Sequence, residues 1–237
     1  MYDTRGGVPL GKTGRNRDNG SVTTATSSLS KQGQAIHRRP NMVAVGTIVW
    51  LSSELMFFAA LFAMYFSLKA TRPDVWAADT QHLAFPLALI NSTILVLSSF
   101  TCQIGVNKVE AHGKPAVPRR TGGIFEIGKW GLAEWFILSF LMGAIFVAVQ
   151  AFEYTELVQA GVTFSSSAFG SAFFITTGFH GLHVIGGLIA FLIVIGRTYM
   201  ARNFGAHEAS SAMVVSYYWH FVDVVWVALF IIIYILK

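Results

Sequence analysis

Charge is what this sequence has least of. Only 12% of its 237 residues are Asp, Glu, Lys or Arg, against about 25% in an average soluble domain. So few ionisable side chains cannot cover a water-facing surface, which excludes a single soluble domain. Cysteine is nearly absent too. Cys102 stands alone, so no intrachain disulfide forms and no cysteine-cluster metal site is available. It sits in an apolar run and reads as a small buried hydrophobe. No Gly-x-Gly-x-x-Gly pattern occurs, which removes the dinucleotide-binding fingerprint, and no repeat of fixed period is found. No short apolar stretch precedes a small-residue cleavage site near the start, so the pattern of a cleavable signal peptide is missing as well. What is abundant is apolar surface: 54% hydrophobic residues, 14% aromatic, with 20 Phe. Such a composition excludes disorder for most of the chain and points to lipid as its solvent.

Residues 1–41 form a polar tail carrying seven Lys or Arg; it has no core-forming residues and is expected to be disordered. After Pro40 the composition changes abruptly. Five apolar runs follow, at 42–68, 83–106, 130–152, 168–196 and 212–236. Each reaches the ~20 residues needed to cross a hydrocarbon core of about 30 Å. A helix satisfies its own backbone hydrogen bonds, which lipid cannot do, so each run predicts a transmembrane α-helix. Pro86 falls in the first turn of the second, where its missing N–H is tolerated. The segments expected of a β-barrel, about ten residues long with alternating polarity, do not occur. The fold class is therefore all-α: a five-helix polytopic bundle over 42–237 behind a polar tail.

The net charge of +5 does not imply nucleic acid, because the positive charges flank the apolar runs. With the amino terminus inside, the segments 1–41, 107–129 and 197–211 hold seven, five and two Lys or Arg, against three on the opposite side. The positive-inside rule thus puts the amino terminus in the cytoplasm and the carboxyl terminus outside. Trp76 and Trp130, near span ends, are expected to anchor the membrane interface. The small residues of the fourth run, Gly178 and Gly187 among them, predict close helix packing.

No Lys or Arg lies within the five runs. Three carboxylates do (Glu54, Glu134, Asp223), as do His180, His183 and His220, with Glu153 just beyond the third run. A charge at the bilayer centre costs about 2.5–3.5 kcal/mol on insertion scales, so such groups face other helices or water and are functional candidates. Glu54, His180, His183 and Asp223 lie at similar depth. His180 and His183 share a helix face, as do His220 and Asp223, and the set is expected to converge in one polar seam. Three roles are open to it. Histidines could ligate a metal or haem, although paired histidines on one helix are four apart in the zinc motif. The groups could relay protons or ions, although transporters usually carry inverted repeats and broken helices. Or they could hydrogen-bond between helices and hold the bundle together, at about 1 kcal/mol each.

The stretches SSELMFFAALF (52–62), QAFEY (150–154), FHGLHVIGG (179–187) and YYWHFVDVVWVALF (217–230) resemble, in order, subunit III of the haem-copper terminal oxidases, in the cytochrome c oxidase branch. The resemblance covers about residues 42–236. It implies a non-redox subunit of a proton-pumping enzyme that reduces oxygen to water, with no haem or copper of its own. Haem a and copper belong to the partner subunits I and II. It further implies packing on subunit I, bound phospholipid, and support of proton uptake in aerobic respiration. Glu54, His180, His183, His220 and Asp223 match the family's membrane-embedded polar residues, and Arg197 matches an arginine associated with lipid head groups. No catalytic residue and no metal ligand is expected in this chain. Longer members have seven spans; the first two are missing here, which puts their lipid cleft in doubt. The short form points to a bacterial plasma membrane and, by similarity to oxidases that join a cytochrome bcc complex, to a supercomplex. A quinol oxidase subunit III is the alternative, with Glu54 favouring the cytochrome c branch. A free-standing transporter or a His-ligated membrane enzyme is the remaining one.

Overall fold

The computed structural model describes residues 42–110, 116–123, 125–200 and 204–236, so the expected disorder of 1–41 lies outside the described residues. Five helices are long and apolar enough to cross a membrane: α1 (Met42–Thr71), α3 (Phe85–Glu110), α4 (Leu132–Gln159), α5 (Ala168–Met200) and α6 (Ala206–Phe230). A π-turn, Ile231–Ile235, continues α6. A short helix α2 (Pro73–Asp79) fills the first connection, opening with proline at its first helical position. No strand occurs among the described residues. All five expected spans are present. Most outrun their apolar stretch by several residues, because a helix that satisfies its own backbone need not end where hydropathy falls.

The bundle is built around α6, which packs against α1, α3 and α5, while α3 and α4 lie together along most of their length. Among its buried residues are Trp219, Val222, Val225, Trp226 and Leu229. Helix α1 is peripheral: it packs mainly on α5 and α6 and buries only Thr47, Phe58 and Tyr65. Small residues permit the closest approach. The Trp219 indole lies between Gly143 of α4 and Gly187 of α5, where an added Cβ would meet its ring at 2.7 Å in both cases. The expected close packing is thus realised at Gly187 but not at Gly178, where an added Cβ would meet only the Tyr154 hydroxyl at 3.9 Å. The Trp219 indole N–H donates to Ser98 Oγ at 2.9 Å, and that of Trp226 to Ser92 Oγ. Asn91 Nδ2 donates to the Phe146 carbonyl. Helix α3 therefore glues its neighbours with small hydroxyls and amides, as suits helices in lipid. Cys102 is fully buried in the core.

The ends are tied by specific bonds. Helix α4 closes in a Schellman motif: Val162 N–H donates to Leu157 O and Gly161 N–H to Val158 O, with Gly161 at φ +87°. Ser167 caps α5 by accepting from Gly170 N–H, and its hydroxyl donates to Asp79 of α2. Arg119 donates to the carbonyls of Thr198 and Tyr199 at the last turn of α5, where a cation complements the helix dipole. One expectation is corrected here. Trp76 is no interface anchor: it is 2% exposed, donates to Tyr65 Oη at 3.1 Å and packs edge-on against Phe169. Glu134, a carboxylate within the third run, lies at the start of its helix. It stands at the third position of α4 and accepts from the Gly131 and Arg120 backbone N–H groups at 3.0 Å, filling orphan donors at the helix start.

Candidate functional site

The polar groups expected in one seam divide among three places. In the first, Glu54 of α1 meets His183 of α5, Oε2 to Nε2 at 3.3 Å. Both side chains are only partly covered, 25% and 18% exposed, and Phe58 packs edge-on against the imidazole. His183 Nδ1 lies 2.7 Å from the Phe179 carbonyl, which only accepts, so Nδ1 carries the hydrogen. Nε2 is then the ring nitrogen turned to Glu54 Oε2.

In the second, His180 lies on the same helix but inside the bundle, 1% exposed. It stacks on Trp226 at 4.9 Å between centroids and touches Phe146 and Phe58 edge-on. Neither ring nitrogen has a hydrogen-bond partner among the described residues.

In the third, Asp223 and His220 of α6 face α3, away from Glu54. Asp223 bonds to Ser99 Oγ, which also contacts His220 Nδ1 at 2.9 Å; His220 Nε2 reaches Gln103 Oε1 at 3.1 Å. Gln103 Nε2 is turned to Asn107, so its oxygen accepts from His220 Nε2–H. The Ser99 hydroxyl has one hydrogen and cannot serve both Asp223 and His220. Ser99 still ties both polar side chains of α6 to α3. Val96, Phe100, Val224 and Val227 wall the groove of about 420 Å³ over these residues.

Arg197, in the last turn of α5, donates to His207 Nδ1 at 3.1 Å. Both head a groove of about 480 Å³ whose walls include Ala190, Ile193 and Val194 of α5 and Val214 of α6. A cation at the end of an apolar channel at a helix terminus suits an anionic, acyl-chained ligand.

Several partners in these sites escaped the sequence reading. Ser99 and Gln103 look like ordinary small or polar residues in an apolar run, and only their spacing of four, one helical turn, hints at a shared face. Glu153 lies within α4, 3% exposed, and accepts from Tyr234 Oη at 2.5 Å. Glu134 carried a legible signal, a glutamate three residues after Gly131; the same spacing recurs at Gly205 and Glu208, with Gly205 N–H on the Glu208 carboxylate. Among the described residues no three His, Cys, Asp or Glu are grouped to hold a metal ion. The arrangement can hold protons and join helices.

The family model described as cytochrome c oxidase subunit III matches residues 121–237. A protein of Nocardia farcinica named probable cytochrome c oxidase subunit 3 is 49% identical over 217 residues, which cover 92% of this chain and 98% of that one. A cytochrome c oxidase subunit 3 of Corynebacterium diphtheriae is 49% identical over 208 residues, 87% and 94% of the two chains. One of Thermostichus vulcanus is 31% identical over 217 residues, 88% and 97%.

Proposed function

Because this chain belongs to the cytochrome c oxidase subunit III family, we propose that it is a non-redox, multi-pass subunit that packs on subunit I, holds phospholipid and sustains proton uptake. In this reading haem a and copper sit in subunits I and II, and oxygen is reduced to water there. Electron flow ends in that partner, while this chain supplies helix surface, lipid contacts and protonatable groups. The observation that carries it is the Glu54–His183 pair: a partly exposed carboxylate that meets a partly exposed histidine between α1 and α5. A group so placed is available to a neighbouring subunit, whereas one that only braces the bundle gains nothing from exposure. The Asp223–Ser99–His220 chain supports the same reading from the opposite side of α6. Arg197 and His207, above their apolar groove, supply the lipid site.

The membrane is the bacterial plasma membrane, with the amino terminus in the cytoplasm, and a cytochrome bcc complex is the further partner in a supercomplex. The decisive experiment isolates this polypeptide from native membranes in mild detergent. An a-type haem spectrum, copper, and oxidation of cytochrome c in the same particle are expected. Recovery of a solitary chain free of haem-bearing partners overturns the proposal, and a co-purifying quinol oxidase would redirect it. In the same preparation, bcc haems at fixed ratio to haem a are expected; their absence removes the supercomplex alone.

A further inference from the structure

Between α4 and α5 lies a cavity of about 170 Å³ whose wall includes Gln150, His180, Tyr154, Gly178 and Gly181. It exists because two glycines leave one side bare: a Cβ at Gly181 would meet nothing within 4 Å, and one at Gly178 only the Tyr154 hydroxyl at 3.9 Å. Two polar side chains are set into it. Gln150 is 6% exposed and His180 1%. Among the described residues, neither the amide nitrogen and oxygen of Gln150 nor either ring nitrogen of His180 has a hydrogen-bond partner. The Tyr154 hydroxyl, beside them, is held by Thr177 at 2.7 Å.

Buried polar atoms are hydrogen-bonded in the great majority of cases, and leaving them unpartnered is costly. The two residues that carry four such atoms both line this one cavity. We propose that the α4–α5 cavity binds ordered water, which bridges the Gln150 amide to the His180 imidazole inside the membrane domain. The chemistry selects the ligand. Gln150 offers both a donor and an acceptor, and so does a neutral imidazole. Water does too, and an internal water typically makes about three hydrogen bonds. A lipid chain filling the same space would leave all four atoms bare. The volume suits a short cluster, since water occupies about 30 Å³ in the liquid. Two nitrogen or oxygen side chains are too few to hold a structural metal ion. The bound water connects α4 to α5 at a level where the chain makes no direct polar bond between Gln150 and His180.

The experiment is a map of the intact oxidase complex at a resolution that shows water elsewhere in its membrane domain. Rounded peaks within hydrogen-bonding distance of both Gln150 and His180 are expected, and they should vanish in Gln150→Leu. Tubular acyl density, a partner's side chain in the cavity, or no density overturns the proposal. Thermal unfolding of the complex gives an independent sign. If water bridges the two residues, Gln150→Leu and His180→Phe each lower the melting temperature by several degrees. The double variant then loses less than the sum, because neither partner remains stranded. A rise in melting temperature for Gln150→Leu means that a dry, unpartnered amide was removed, and sinks the inference.

Discussion

Glu54 accepts or shares a proton with His183 at 3.3 Å while the far nitrogen of the same ring is fixed on the Phe179 carbonyl. The bond depends on a hydrogen between Nε2 and the side chain of residue 54, not on charge. Glu54→Gln can supply that hydrogen from its amide, so the complex should assemble and keep electron transfer with modest loss. Glu54→Leu cannot, and strands His183 Nε2. A membrane hydrogen bond of this kind contributes about 0.6 kcal/mol on average, so Leu should weaken the docking of α1 more than Gln, read as lower thermal stability of the complex. Complete loss of turnover in a fully assembled Glu54→Gln complex would contradict a supporting role. On α3, Ser99→Ala removes the hydroxyl that contacts both Asp223 and His220. Loss of proton uptake rate without loss of subunit content is expected, measured by oxygen pulse in vesicles. These residues were legible as candidates, because an ionisable group within an apolar run is visible in one dimension. Their division into separate sites was not. Depth along a helix follows from residue number, but the direction a side chain faces depends on the rotation of each helix about its axis. Nothing within the run specifies that, and so Glu54 and Asp223, at similar height, face different neighbours.

At the level of helices, the requirement that lipid imposes is local, and the five spans could be read from their own residues. Which helix touches which is instead set by shape, as at the Trp219 wedge between Gly143 and Gly187. Gly187→Val places branched carbons where the indole already lies, and overpacking of this kind costs about 1–3 kcal/mol. A fall in melting temperature is expected, with partial rescue by Trp219→Leu, which vacates the space. If Gly187→Val melts like wild type, the wedge does not hold these helices. The hydroxyl partners of Trp219 and Trp226 were illegible for a simpler reason. Serine is common in apolar helices and commonly bonds its own backbone, as Ser98 and Ser92 also do.

For the whole molecule, Arg197 and Arg119 both lie at the carboxyl end of α5, one heading an apolar groove and the other spent on the carbonyls of Thr198 and Tyr199. Beyond its bond to His207 Nδ1, Arg197 keeps donors over the groove that the proposed headgroup would use. Arg197→Ala should therefore lower the anionic lipid retained by the purified complex, by native mass spectrometry. Arg119→Ala should leave lipid content unchanged but loosen the connection before α4, seen as faster proteolysis near residue 119. Equal lipid content in Arg197→Ala and wild type would remove the site.

The peripheral seat of α1 bears on how the protein is made. This helix leaves the ribosome before α5 and α6, to which the surfaces it docks against belong. Its Glu54 thus enters the bilayer well before His183 exists. Order of synthesis and order of docking run in opposite directions, so an insertase or the lipid itself must shelter a lone carboxylate until the chain is complete.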